Sequence, residues 1–227
     1  DYVFAPAGDE IYRSSHSTYI EPPAVALPLE GAHRPGHFRG VATIVLKLFQ
    51  MIPANVAFFG QKDYQQSLVI QRMVADLNVP IEVRVCPTVR EQDGLAMSSR
   101  NSYLSDVERT RALSLSRALL KARSLHEAGE ESASSILDTM RRILADAGVD
   151  KIDYVAIADS QTLEPLEVIE KESVALIAAY VGETRLIDNM LLEQSPEYVD
   201  RGEAEEASRN GMCQTLFYIT DSIGQFP

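Results

Sequence analysis

Apolar residues first recur at helical spacing at Phe38, Val41, Ile44, Val45, Leu48 and Phe49, which predicts a helix with one buried face, ended by Pro53. Val56-Ala57-Phe58-Phe59 follows as an unbroken apolar run stopped by Gly60, the pattern of a buried strand. A second helical stripe comes at Leu68, Val69, Met73 and Leu77, and Ile81, Val83 and Val85 then alternate as a strand up to Pro87. Ahead of these, Tyr2-Val3-Phe4-Ala5, closed by Pro6, reads as a short buried strand. Residues 7–37, rich in Pro, Gly, Ser and His, read as a long loop region of the kind that carries function. Strands alternating with helices through short connections predict a parallel α/β sheet. Ligands of such sheets sit beyond the carboxyl ends of the strands, so residues 60–66 and 87–101 are expected to line one mouth.

The texture changes after Tyr103. Residues 105–147 are helical in pattern and rich in Ala, Leu, Arg and Glu, with Ser105 and Glu108 spaced as a capping box. Residues 152–158, 174–180 and 184–188 then read as short strands. The expected organisation is an α/β sheet portion over 1–101, a smaller α+β domain over 102–192, and an acidic, poorly ordered extension over 193–227. Within that extension, Leu216-Phe217-Tyr218-Ile219 can dock as a strand or be incidental.

Composition narrows the class. The 227 residues are 45% apolar and 24% charged, ordinary for a globular protein, and no apolar run reaches the roughly 18 residues of a membrane span. A net charge of -12 argues against a nucleic-acid surface, which needs a basic footprint, but leaves room for a small anion held by a few local cations. Two distant cysteines, Cys86 and Cys213, form no metal or redox spacing, and a reducing cytoplasm is expected.

Three segments carry candidate chemistry. In Gly60-Gln61-Lys62-Asp63-Tyr64-Gln65-Gln66, a glycine permits close approach of a ligand and the chain opens into a helix whose N-terminus favours anions. Lys62 adds a mobile positive charge, and Asp63 can cap the helix or bind hydrated Mg2+. In Asp93-Gly94-Leu95-Ala96-Met97-Ser98-Ser99-Arg100-Asn101, two hydroxyls and an arginine form a compact donor set for phosphate oxygens. Met97 reads there as a packing residue or a contact to an adenine. The third segment, Glu30 to Gly40, crowds His33, Arg34, His37 and Arg39 at a helix entry, suited to a carboxylate or a triphosphate; His37 can equally pin the loop as a neutral residue.

In this order the segments resemble the pantothenate synthetase (pantoate–β-alanine ligase) family. The resemblance runs through Leu29-Glu30-Gly31, Arg34-Pro35-Gly36-His37-Phe38-Arg39-Gly40-Val41, Phe59 to Gln66, Pro87-Thr88-Val89-Arg90-Glu91, Asp93 to Asn101 and Arg185-Leu186-Ile187-Asp188-Asn189, and covers roughly residues 1–192. It implies a partial Rossmann-like sheet of the nucleotidyltransferase superfamily and an ATP-dependent ligase of coenzyme A biosynthesis. That ligase would condense D-pantoate with β-alanine through a pantoyl adenylate, releasing AMP and pyrophosphate. Carried over, Lys62, Ser98, Ser99 and Arg100 would be catalytic. Gly60, Lys62, Asp63, Val89, Met97, Ser98, Ser99 and Arg100 would bind ATP. Gln66 and His37 would bind substrate, with Glu30 at the rim, and Asp63 would approach Mg2+. The family implies a cytoplasmic homodimer, with no nucleic-acid or membrane partner. Its upstream His-x-Gly-His signature does not occur here, so a chain carrying the carboxyl-terminal portion of the enzyme, weakly active or inactive alone, is expected. The alternatives are an adenylyltransferase of the same superfamily and a non-catalytic fragment.

Overall fold

The computed structural model of the chain describes residues 3–169 and 172–193. Three helices come first: α1 (Gly8–Ile11), α2 (Glu30–His33) and α3 (His37–Met51). They lead to β1 (Val56–Gly60), α4 (Tyr64–Asp76) and β2 (Glu82–Cys86). The second half contains α5 (Asp106–Glu127), α6 (Ala133–Asp146), β3 (Lys151–Asp159), β4 (Ser173–Val181) and β5 (Thr184–Leu191). Among the described residues no helix is long and apolar enough to cross a membrane.

α3 buries Phe38, Val41, Ile44, Val45 and Phe49, the stripe its sequence spells out. β1 and β2 pair in parallel, from Val56 opposite Glu82 to Gly60 opposite Cys86. The segments after both strands therefore leave from one edge. Val3-Phe4-Ala5, expected as a buried strand, is instead irregular, with Val3 93% and Phe4 53% exposed; Tyr2 lies outside the described residues. An apolar run becomes a strand only against a neighbour that supplies the hydrogen-bond ladder, and among the described residues β1 and β2 pair only with each other. The expected acidic extension falls, beyond Glu193, outside the described residues, as does Leu216 to Ile219.

The region read as one long loop contains α1, α2 and a helical turn at Ala24–Ala26. α2 packs on that turn through Gly31, where an added Cβ would lie 1.7 Å from the Ala26 carbonyl oxygen, so only glycine fits. Leu29, just before α2, has a φ of +51°, a costly conformation for a branched residue. Gln65 of α4 clamps both sides of it: its amide donates to the Pro28 and Val25 carbonyls at 2.8 Å each, and its oxygen accepts from the Glu30 N–H at 3.0 Å.

In the second half, Ser105 and Glu108 close the expected capping box at the start of α5. The three strands form an antiparallel sheet in the order β3-β4-β5. β4 is apolar on both faces, because it separates two cores. Val174 and Leu176 join Ala158, Tyr64, Val45 and Ile70, whereas Ala175, Ile177, Ala179 and Val181 join Leu115, Leu119, Ile136 and Met140 of α5 and α6. The antiparallel sheet is thereby seated on α4 by one face and on its own helices by the other.

Candidate active site

Lys62 and Asp63 sit in a tight helical turn, Gln61–Asp63, between the end of β1 and the start of α4. Asp63 occupies the N-cap position of α4, yet its side chain makes no capping hydrogen bond. The turn is held from β5: the Asn189 amide donates to the Gln61 and Lys62 carbonyls at 2.9 Å each, and the Gln61 amide donates back to Asn189 Oδ1 at 3.3 Å. The Tyr64 hydroxyl donates to the Ser160 carbonyl at 2.9 Å, fixing the first turn of α4 to the loop after β3.

The second segment, 87–101, doubles back on itself. Arg90 bridges to Ala96, the Met97 N–H donates to the Val89 carbonyl at 2.9 Å, and Gly94 takes the reversal with a φ of +94°. Val89 and Met97 are thus neighbours across a short ladder. They are 44% and 55% exposed, so Met97 is not the packing residue its side chain suggests. Ser98 caps the following turn, Ser99–Tyr103, by accepting from the Arg100 N–H. Asn101 is buried and donates to Glu91 at 2.6 Å and to the Ala96 carbonyl at 3.0 Å. Arg90 donates from both terminal guanidinium nitrogens to Asp188 of β5, at 2.7 and 3.0 Å.

The third segment is tied down by charge. Glu30, 7% exposed, accepts two hydrogen bonds from Arg185 at 2.9 and 2.7 Å and one from the Tyr154 hydroxyl at 2.9 Å. Arg185 also donates to Asp153 at 2.8 Å, so one guanidinium joins two carboxylates from different parts of the chain. Burial by itself would raise the Glu30 carboxyl; Arg185, Tyr154 and Arg34 outweigh it and hold the group below the usual carboxylate range. His37, the first residue of α3, is the opposite case. Burial and then Arg34 lower its pKa, with Arg185 and Arg100 adding to this and Glu30 opposing, to about 4. The imidazole is neutral at physiological pH.

Two adjoining cavities result. One is lined by Lys62, Ser98, Arg100, Asn101, Arg185 and Asp188. The other is lined by Glu30, Arg34, His37, Lys62, Asp63 and Gln66. Lys62, Ile187 and Asp188 belong to both walls. Of the expected site residues, Lys62, Asp63, Gln66, His37, Ser98 and Arg100 are brought together. Gly60, Ser99, Val89 and Met97 line neither cavity; an added Cβ at Gly60 would meet open space. Among the described residues no group of three His, Cys, Asp or Glu converges as a metal cluster.

Sequence reasoning assigned no role to Arg185, Asp188, Asn189, Tyr154 or Gln65. The available signal was the run Arg185-Leu186-Ile187-Asp188-Asn189, in which charged and amide groups interrupt an otherwise apolar strand. Such groups are buried only when something pairs with them.

Residues 1–191 match the family model of pantoate-beta-alanine ligase. Pantothenate synthetase of Geobacter sulfurreducens is 50% identical over 192 residues, 85% of this chain and 68% of that protein. The pantothenate synthetase of Moorella thermoacetica is 52% identical over 193 residues, with the same shares of 85% and 68%. The crystal structure of pantothenate synthetase from Thermus thermophilus superposes with a TM-score of 0.81 at 42% identity, over 84% of this chain and 69% of that one. The pantoate-beta-alanine ligase from Francisella tularensis, complexed with beta-gamma ATP and beta-alanine, superposes with a TM-score of 0.64 at 32% identity, over 83% and 64%.

Proposed function

The chain belongs to the pantoate-beta-alanine ligase family, and on that premise we propose that its two cavities hold ATP and pantoate for ATP-dependent condensation of D-pantoate with β-alanine. The observation that carries this reading is that Lys62 faces both cavities. A reaction between a carboxylate in one and a phosphorus in the other needs a cation at their junction, where charge is exchanged.

The pantoate carboxylate attacks the α-phosphorus, the bond to the bridging oxygen breaks, and pyrophosphate leaves. The β-alanine amine then attacks the acyl carbon of the pantoyl adenylate, AMP departs with the bonding electrons, and the amine loses a proton. Such steps depend on positioning and charge neutralisation more than on a covalent protein nucleophile. Lys62 and Arg100 neutralise phosphate oxygens, and the Ser98 hydroxyl donates to them. Gln66 and the neutral His37 hydrogen-bond a hydroxy acid without adding charge. Ser99 contributes at the rim of the phosphate cavity, and Val89 with Met97 offers an exposed apolar pair beyond it for the adenine face.

Mg2+ usually takes one or two carboxylates, keeps several waters and binds substrate phosphates. Asp63 fits that pattern as a single carboxylate beside the phosphate cavity, where a bound ion would offset pyrophosphate charge. We assign residues 1–101 to the nucleotide and pantoate half. Residues 102–192 form the covering half, whose β5 walls both cavities and shelters the adenylate from water.

Calorimetry tests the site directly: ATP and pantoate each bind the purified chain, and Lys62→Ala weakens ATP. No ATP binding at millimolar concentration would sink the reading. Product analysis separates reaction classes, because a ligase releases AMP only when β-alanine is present, whereas an adenylyltransferase retains the adenylyl group on its product.

A further inference from the structure

Arg185 to Asn189 supplies no direct ligand contact in the reading above, yet its strand walls both cavities. Successive side chains of a strand leave on opposite faces. In β5, Leu186 and Met190 turn to the core of α5 and α6, and Leu191 turns to the core of α3 and α4. Asp188 and Asn189 follow this alternation, and each reaches a different wall of the site.

Asp188 is 4% exposed and accepts hydrogen bonds from both terminal nitrogens of Arg90 and from the Asn189 N–H, while Arg90 Nη1 also donates to the Gly94 carbonyl at 3.2 Å. The carboxylate thus braces the hairpin that leads to Ser98 and Arg100. Asn189 is 3% exposed and donates to the consecutive backbone carbonyls of Gln61 and Lys62, which flank the Lys62 Cα. It braces the turn that carries Lys62. The strand behind them cannot give easily: Asp188 pairs with Ile177 and Asn189 with Leu176 on β4, both buried.

We propose that Asp188 and Asn189 form a yoke that sets the separation of Lys62 from Ser98 and Arg100, so that nucleotide phosphates meet donors already in place. This rests on the ATP reading above. The two are positioning residues, and their order matters. Position 188 needs a charge to take a bidentate arginine, and position 189 needs two N–H groups for two carbonyls. The exchanges keep side-chain shape: Asp188→Asn removes the charge facing Arg90 while its amide oxygen can still accept the Asn189 N–H, and Asn189→Asp replaces the donating amide with a carboxylate facing two carbonyls.

Amide hydrogen exchange of the purified chain, without nucleotide, separates the arms. Asp188→Asn is expected to speed exchange within residues 88–101 and leave 60–66 unchanged. Asn189→Asp is expected to do the reverse. Arg90→Lys and Asn189→Ala carry the same two expectations should either isosteric variant fail to fold. In calorimetry each variant weakens ATP by about tenfold, the scale of one lost hydrogen bond. In a Lys62→Ala background, Asn189→Asp adds little further loss, because its effect runs through Lys62. Exchange that rises uniformly over β3 to β5, or in neither segment, overturns the yoke. So does ATP affinity that is unchanged in loosened variants, or a loss that adds fully to Lys62→Ala. If the unaltered chain binds no ATP, the ligase reading fails, and the exchange pattern still decides the yoke.

Discussion

At the scale of single residues, the site is a matter of which groups are charged. His37 lies among Arg34, Arg185 and Arg100, and its folded pKa is lowered from 6.5 to about 4. Between these values the unfolded chain binds a proton that the folded chain does not, so this residue lowers stability as pH falls from about 6.5 towards 4 and costs nothing above. His37→Gln is neutral at every pH and should flatten that part of the profile, seen as a smaller drop in urea midpoint between pH 7 and pH 5 than in the unaltered chain. Equal drops would mean that His37 titrates ordinarily. Lys62 is expected to act through charge: Lys62→Ala weakens ATP by about 10- to 100-fold, the range for hydrogen bonds to a charged group, and Lys62→Arg restores part of it. Calorimetric titration of both variants checks this. Lys62, Asp63, Ser98 and Arg100 were legible in the sequence because their segments place phosphate-binding residue types at strand ends. The neutrality of His37 was not, because its causes are burial and, beside the local Arg34, arginines brought in from two other segments.

At the scale of elements, α2 is too short to be stable by itself and is held by partners. Gly31 lets it sit on the 24–26 turn, Gln65 spans its strained entry, and Arg185 takes its Glu30 carboxylate. Arg185→Leu would leave Glu30 buried, charged and close to Asp153, a loss expected at about 3–5 kcal/mol by urea unfolding. Adding Glu30→Gln should recover part of it, since the stranded charge is gone. If the two substitutions cost the same separately and together as a simple sum, the pairing is not what anchors α2. The helices α3 and α4 follow their apolar stripes closely, whereas the stretch 105–147, read as helical throughout, divides into α5 and α6. Val3 to Ala5 forms no strand, because three apolar residues carry no record of whether a neighbouring strand will pair with them. α2 was absorbed into a long loop for a related reason: four residues hold no readable period.

At the scale of the whole molecule, the two cores share one sheet, β3-β4-β5. Leu176 and Ile177 are adjacent in β4 and face opposite cores, so Leu176→Ala and Ile177→Ala should each cost about 2–5 kcal/mol and shift one common unfolding transition. The chain has no tryptophan, so far-UV circular dichroism and tyrosine fluorescence are the natural probes. Two separate transitions, each moved by one variant, would show the halves to be independent. The order of residues by itself determined α3 and α4, the helical character of 105–147, the paired strands, the capping box at Ser105 and the segments that mark the family, because periods, caps and motifs are local. Only the tertiary structure decided that Glu30 meets Arg185 across 155 positions and that Gln61 meets Asn189 across 128. Those pairings depend on how the antiparallel sheet seats on α4. That seating is set by shape and burial on both faces of β4, which no local pattern encodes.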